Sequence, residues 1–211
     1  MTYTYLALGD SYTIGEQVPL HESFPYQTVQ LLRNRFANQH QFLAPEIIAK
    51  TGWTTDELSA QIATTHFLPK YDFVSLLIGV NNQYRGRSVD EFKPEFEALL
   101  KQAIQFASGN TKHVFVISIP DWGVTPFAAD RDKNQIAIEI DQYNNTCKEI
   151  ASKHNCHFIE ITSSQRADGI NQEFITGDGL HPSGKEYAKW SGMLAEEDRK
   201  STRLNSSHLV I

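Results

Sequence analysis

The sequence predicts an α/β fold in which five short strands form a parallel sheet with helices on both faces. Five apolar runs of strand length occur at residues 3–8, 47–49, 73–78, 114–119 and 156–161. Segments with apolar residues at helical spacing follow them at residues 25–36, from residue 54, and at 88–107, 134–154 and 185–197. Strands that alternate with helices imply right-handed crossovers. We therefore expect a three-layer α/β/α sandwich with a flavodoxin-like, five-stranded parallel sheet.

Individual segments support this order of elements. The run FVSLLI at residues 73–78 is the most apolar, as is typical of a central strand buried on both faces. The helix predicted at 88–107 carries Asp90 and Glu91 in its first turn and Lys101 towards its end, which suits the helix dipole. Pro120 follows the fourth run and ends that strand.

The chain of 211 residues contains no linker rich in Pro, Gly or Ser, so we predict a single domain over residues 1–198. Beyond it, the helical pattern stops abruptly. The run STRLNSS within residues 199–211 resembles translated vector or adapter sequence. We predict that residues 199–211 are a non-native or disordered tail with no part in function.

Composition excludes several classes of protein. The net charge is −6 without a run of Lys or Arg, which argues against a nucleic-acid partner. No apolar stretch is long enough to span a membrane, and no basic region followed by an apolar segment begins the chain, so we expect a cytoplasmic protein. The histidines and two cysteines lack metal-ligand spacing, so no metal and no other cofactor is expected. The sequence does not predict an oligomeric state.

Reactive or amide-bearing groups follow several predicted strands and precede the last helix. Because parallel strands end at the same edge of a sheet, these groups are expected to meet in one crevice. The segments are Gly9-Asp10-Ser11-Tyr12, Gly52 with Trp53, Gly79-Val80-Asn81-Asn82, and Asp178-Gly179-Leu180-His181.

These residue types suit nucleophilic catalysis. The Ser11 hydroxyl needs a base to take its proton, and His181 has an imidazole of the required basicity. Asp178, three residues earlier, can orient that imidazole. The backbone N–H groups of Ser11 and Gly52 and the side-chain amide of Asn81 can surround a tetrahedral oxyanion.

The four segments together resemble the SGNH, or GDSL-type, serine hydrolase and esterase family, over residues 1 to about 195. The resemblance implies Ser11 as nucleophile, His181 as base, Asp178 as its partner, and Ser11, Gly52 and Asn81 as oxyanion-hole donors. In one respect the sequence departs from the family, whose third block often reads Gly-x-Asn-Asp. Here Asn82 stands in place of that acid, which affects the expected pocket rather than catalysis.

The expected activity is hydrolysis of small to medium acyl esters, such as acetylated sugars, lysophospholipids, thioesters or alkyl esters. Acyl transfer to another alcohol, or a non-catalytic ligand-binding module of the same fold, stays open as an alternative. Candidates for the substrate pocket are Trp53, Asn82, Tyr84 and Trp122. We interpret Arg85 and Arg87 as solvated surface residues rather than contacts to an anionic substrate.

Overall fold

A parallel sheet of five strands forms the centre of the molecule. The computed structural model describes residues 1–37 and 39–206, with side chains through residue 197. In chain order the strands are β1 Thr2–Tyr3, β2 Tyr5–Asp10, β3 Gln41–Phe42, β4 Glu46–Lys50, β5 Phe73–Leu77, β6 Val114–Ile117 and β7 His157–Ile159. The main sheet has the order β4-β2-β5-β6-β7 with all neighbours parallel, and β1 pairs with β3 in a separate small sheet. This order is the flavodoxin-like one, and it confirms the predicted fold class.

Helices flank the sheet on both sides. They are α1 Ser11–Ile14, α2 Phe24–Arg35, α3 Thr55–Thr64, α4 Val80–Tyr84, α5 Val89–Phe106, α6 Lys133–Lys153, α7 Thr162–Asp168 and α8 Gly184–Ser206. α2 packs against α8 in one layer, and α5 packs against α3 and α6 in the other. None of these helices, within the part of the chain described, is long and apolar enough to cross a membrane.

The core lies between the sheet and the two helical layers. All five residues of β5 are buried, as the sequence predicts for a central strand, and Leu76 and Leu77 are fully inaccessible. Each such leucine contributes about 1.5–3 kcal/mol through the transfer of its side chain out of water. β2, the neighbour of β5, is buried along its whole length, and it places the Gly-Asp-Ser segment at the sheet edge.

The predicted first strand, residues 3–8, is divided and shifted in the structure. The backbone N–H and the hydroxyl of Thr4 both donate to Asp72 Oδ2, at 2.8 and 2.9 Å, so that β1 ends before this residue and β2 begins after it. β2 then continues to Asp10, and α1 begins at Ser11 without an intervening loop.

The last helix is longer than its sequence pattern indicates. α8 continues to Ser206, whereas the apolar periodicity ends near residue 197. Residues 207–211 of the predicted tail lie outside the described residues. That residues 199–211 are foreign or dispensable stays a prediction.

Candidate active site

Ser11 occupies the junction between β2 and α1. Asp10 is the N-cap residue of α1, and its Oδ1 accepts a hydrogen bond of 3.0 Å from the N–H of Tyr12. Ser11 is the first residue of the helix, so its own N–H has no acceptor within the helix. The strand therefore delivers Ser11 to the carboxyl edge of the sheet with a hydroxyl and a free backbone donor on the same residue.

His181 links Ser11 to Asp178. His181 Nε2 lies 3.0 Å from Ser11 Oγ, and His181 Nδ1 lies 2.6 Å from Asp178 Oδ2. The side chain of His181 is 8% exposed, and Ser11 is 5% exposed. The three side chains form one hydrogen-bonded chain between residues 170 positions apart in sequence.

The electrostatic environment keeps Asp178 ionised. Burial raises the pKa of Asp178, but hydrogen bonds from the His181 ring and from the N–H groups of His181 and Leu180, together with one from Thr176, outweigh it and lower the pKa to about 2. An ionised Asp178 can only accept a hydrogen bond, so His181 carries its proton on Nδ1 and donates it to that carboxylate. Nε2 is then the acceptor for the Ser11 hydroxyl. The tautomer needed for a general base follows from this arrangement.

Asp10 is a second carboxyl group beside Ser11. It is fully buried, and within the described residues its Oδ2 has no hydrogen-bond partner. Desolvation by burial raises the pKa of Asp10 to about 7, against the lowering effect of the hydrogen bond from Tyr12. Asp10 therefore differs sharply in protonation behaviour from Asp178 in the same site.

Gly52 lies in a tight turn after β4. Trp53 N–H donates to Lys50 O at 3.2 Å, and Gly52 has φ +82°, the conformation that the third residue of a type II turn requires. Asn81, in the first turn of α4, donates from Nδ2 to Trp53 O at 3.0 Å. Among the described residues, the second amide hydrogen of Asn81 has no protein acceptor.

A cavity of about 140 Å³ opens beside Ser11 and His181. Its lining consists of Ser11, Tyr12, Val80, Asn81, Tyr84, Trp122, Phe127, Leu180 and His181. The predicted pocket residues Tyr84 and Trp122 belong to this lining. Trp53 and Asn82 are not part of it, and Trp53 instead packs against the core.

Asn82 is buried, and its side chain is directed to Thr55. Its Oδ1 accepts from the Thr55 N–H at 3.1 Å, and its Nδ2 donates to the Thr55 hydroxyl at 2.6 Å. Asn82 thus fastens α4 to the start of α3. The successive helical positions of Asn81 and Asn82 direct their side chains to different places, one to the cavity and one to the interior.

Three aromatic rings form one side of the cavity. Trp122 meets Tyr84 and Phe127 edge to face, with ring centroids 5.2 and 6.0 Å apart. Trp122 is 5% exposed, and its Nε1–H donates to Gln83 Oε1 at 2.7 Å, which fixes the ring in place. Tyr84 and Phe127 are half exposed and form the outer rim.

Several residues of the site have no role in the sequence-based prediction. Tyr12 packs its ring 5.2 Å from the His181 ring, and Thr176 donates to Asp178 Oδ1 at 2.8 Å. Tyr12 lies within the Gly-Asp-Ser-Tyr segment, so its position in the sequence indicates that it lies near the site. Thr176 and Gln83 offer none, since isolated polar residues are common on loops and helix ends. Across the described ranges, no group of three His, Cys, Asp or Glu residues is arranged to hold a metal ion.

Comparison with known proteins identifies the family of this chain. The model of the GDSL-like Lipase/Acylhydrolase family matches residues 7–189. A search of curated protein sequences found no match. Among solved structures, TesA superposes with a TM-score of 0.71 at 16% identity, over 95% of this chain and 99% of the other. The acetylxylan esterase Axe2 from Geobacillus stearothermophilus gives 0.66 at 18% identity, over 94% and 93%. The lipase/acylhydrolase from Enterococcus faecalis gives 0.65 at 20%, over 95% and 96%.

The fold and the family match define a hydrolytic enzyme built on a parallel α/β sheet. The chain belongs to the GDSL-like lipase/acylhydrolase family, and it is a carboxylic ester hydrolase.

Proposed function

We propose that the protein hydrolyses small to medium acyl esters through an acyl-enzyme on Ser11, with His181 as general base and acid and Asp178 as its orienting partner. The observation that carries this proposal is the continuous hydrogen-bonded chain from Ser11 Oγ to His181 and on to Asp178, at 3.0 and 2.6 Å. Its open end faces the cavity, where an ester carbonyl can reach the hydroxyl.

In the first half of the reaction, Ser11 Oγ bonds to the ester carbonyl carbon while its proton passes to His181 Nε2. The tetrahedral intermediate collapses when the bond between carbon and the alcohol oxygen breaks, and the alcohol leaves with the proton from His181. In the second half, water attacks the acyl carbon and gives a proton to His181, which returns it to Ser11 Oγ as the acid departs.

The negative charge on the tetrahedral oxygen needs donors that are already in place. We assign this role to the N–H of Ser11, the N–H of Gly52 and the amide of Asn81. The free N–H at the start of α1 and the unused amide hydrogen of Asn81 support the assignment. Each such donor lowers the barrier by about 3 kcal/mol in enzymes of this kind of chemistry.

The cavity favours uncharged substrates of limited size. Among the described residues, its lining contains no Asp, Glu, Lys or Arg side chain. A volume of about 140 Å³ is close to that of a cavity that holds benzene, about six non-hydrogen atoms. An acyl group from acetyl to pentanoyl, with at most six non-hydrogen atoms, fits such a space against the rings of Trp122, Tyr84 and Phe127. The likeness to an acetylxylan esterase supports a short acyl group.

The test compares Ser11→Ala with Ser163→Ala, an exposed serine on α7, in assays with p-nitrophenyl esters from acetyl to palmitoyl. We expect Ser11→Ala to lose all but a residual rate, within about 10³–10⁴-fold of the reaction in water, and Ser163→Ala to match the unmodified protein. Rates should be highest with the short acyl chains.

A fluorophosphonate reagent should label the protein once, and mass spectrometry should place the adduct on the peptide that contains Ser11. Near-normal turnover by Ser11→Ala, or labelling of a different serine, would overturn the assignment of the nucleophile. A preference for palmitoyl over acetyl esters would refute the size argument alone.

A further inference from the structure

The turn that carries Gly52 is attached to α4 by a side chain that the reaction does not use. Arg85, at the end of α4, donates from Nη2 to Gly52 O at 2.7 Å. Its Nη1 donates to Glu57 Oε2 at 3.2 Å, and the same Glu57 oxygen accepts the N–H of Thr54 ahead of α3. One guanidinium therefore connects the Gly52 turn, α4 and the start of α3.

This contact acts on the peptide group next to the proposed oxyanion donor. Gly52 O and Trp53 N–H belong to the same peptide unit. Arg85 holds the oxygen, and Lys50 O accepts the N–H at 3.2 Å, so both ends of the unit are fixed. On the other side of the glycine, the Thr51 hydroxyl donates to Glu16.

Fixing that peptide matters because glycine itself resists rotation very little. At φ +82°, Gly52 occupies a region that glycine enters freely, together with several neighbouring conformations. Without the guanidinium, only the hydrogen bond from Trp53 N–H to Lys50 O restrains the peptide that follows Gly52. The N–H that precedes Gly52 changes direction when this turn shifts. An oxyanion donor contributes fully only when it points at the developing charge.

The ion pair between Arg85 and Glu57 contributes little to folding stability, so stability does not account for the position of Arg85. The side chains of Arg85 and Glu57 are 44% and 41% exposed, and exposed pairs of this kind add little to folding stability. Arg87, whose side chain is 30% exposed, forms a comparable ion pair with Asp56 at 2.6 Å and lies 3.9 Å from Glu95. The difference is that Arg87 reaches a side chain, whereas Arg85 reaches the backbone carbonyl of Gly52.

We propose that Arg85 is a positioning residue that orients the Gly52 N–H for the tetrahedral intermediate by holding the Gly52 carbonyl. The inference rests on the proposed function, because it assumes that Gly52 donates to the oxyanion. Arg85 does not touch the reacting atoms, and it acts only through the turn.

The experiment compares Arg85→Met with Arg87→Met, its matched control, and with Arg85→Lys, which keeps a charge and one donor. With p-nitrophenyl acetate, we expect Arg85→Met to lower kcat about 10–100-fold with KM changed less than about twofold. Arg87→Met should retain kcat, and Arg85→Lys should recover part of the loss. Phenylboronic acid, which forms a tetrahedral adduct with a serine, should inhibit Arg85→Met more weakly by a factor similar to the loss in kcat. Thermal unfolding should be alike in the two methionine variants.

Several results would overturn the inference. They are equal kcat in Arg85→Met and Arg87→Met, a loss of kcat with unchanged boronate affinity, or an increase in KM confined to acidic esters. The last would make Arg85 a substrate contact. If Ser11→Ala is inactive and Arg85→Met behaves like Arg87→Met, only this inference fails. If Ser11→Ala remains active, the proposed nucleophile and this inference both fail.

Discussion

At the scale of single residues, the adjacent asparagines Asn81 and Asn82 make different contacts. Asn81 lines the cavity and uses one amide hydrogen to bind Trp53 O. Asn82 is buried and uses both ends of its amide to bind Thr55. An amide donates without a charge and does not titrate near neutral pH, so Asn81 suits a site where charge appears only in the transition state.

The two asparagines give a paired prediction. Asn81→Ala should lower kcat about 10²–10³-fold and leave KM little changed, because the lost donor acts mainly in the transition state. Asn82→Ala should cost about 1–3 kcal/mol of folding stability, since the Thr55 groups lose their partner, with a much smaller effect on kcat. Steady-state kinetics and thermal unfolding of both variants measure this. A large loss of kcat in Asn82→Ala with a mild one in Asn81→Ala would reverse the assignment.

A second residue-scale prediction concerns the buried carboxyl of Asp10. Its pKa of about 7 in the folded protein, against an ordinary value near 3.8, means that the folded state binds more protons than the unfolded state between these values. The free energy of unfolding therefore falls as the pH rises from about 4 to about 7. Below about pH 4, Asp10 is protonated in both states and does not lower the stability of the fold. Asp178 has the opposite sign, with a lowered pKa, and loses its contribution only as the pH falls below about 4.

Replacing Asp10 by Asn removes this titration and keeps an acceptor for the Tyr12 N–H. When the pH is raised from 5 to 8, the stability of Asp10→Asn relative to that of the unmodified protein should increase by about 1–3 kcal/mol. Urea unfolding at both pH values measures the difference. Parallel pH dependence in the two proteins would show that Asp10 is ionised in the fold at pH 5.

At the scale of elements, the junction of β2 with α1 leaves no space around Gly9. A Cβ at this position would lie 2.0 Å from Thr13 Oγ1 and 2.4 Å from Leu77 O. The first is a side chain of the following helix, and the second is backbone of the neighbouring strand β5. The close approach allows α1 to begin directly after the strand, with Ser11 at its first position.

We therefore predict that Gly9→Ala destabilises the fold by about 3 kcal/mol or more, because the backbone of β5 cannot give way cheaply. Gly192→Ala is the matched control. Gly192 lies within α8, and a Cβ added there would meet no described heavy atom within 4 Å apart from its chain neighbours and the nearby backbone of its own helix. Alanine should therefore be neutral or stabilising by up to about 1 kcal/mol. Chemical denaturation of the two variants compares them. Equal stability would contradict the packing argument.

At the scale of the whole molecule, the two helical layers bring distant segments to one edge of the sheet. α8 packs against α2 and supplies Trp190, which is fully buried. The Asp178–His181 turn that precedes α8 is joined to the loop after β6 by a hydrogen bond of 2.9 Å from Phe127 N–H to Gly179 O. His181 and the aromatic side of the cavity are thus held together by a contact between two loops that follow different strands and precede different helices.

The tail gives a prediction at this scale. Leu194 and Ala195 are buried in the core, so the functional part of α8 is anchored before residue 199. Deletion of residues 199–211 should leave the melting temperature and turnover almost unchanged. Differential scanning fluorimetry and the ester assay test this on the shortened chain. A fall of several degrees would mean that the deleted residues stabilise the domain.

The sequence by itself determines the five strands of the main sheet, the long helices and the residue types at the strand ends, because each has a local sequence pattern. It does not determine the small sheet of β1 and β3. The apolar run of β5 and the Gly-Asp-Ser segment after β2 are examples. The short helices α1, α4 and α7 are not predicted from the sequence. Elements of four to seven residues span fewer than two helical turns, too few for a repeated apolar pattern, and they are stabilised by tertiary contacts.

Only the tertiary structure decides which side chains meet. The 3.0 Å contact of Ser11 with His181 depends on the order of strands and on the packing of α8. The sequence also could not separate Tyr84 and Trp122, which line the cavity, from Asn82, which turns inward. The direction of a side chain on a short helix is set by the tertiary contacts around that helix. The hydrogen bond from Arg85 to Gly52 O likewise depends on tertiary structure.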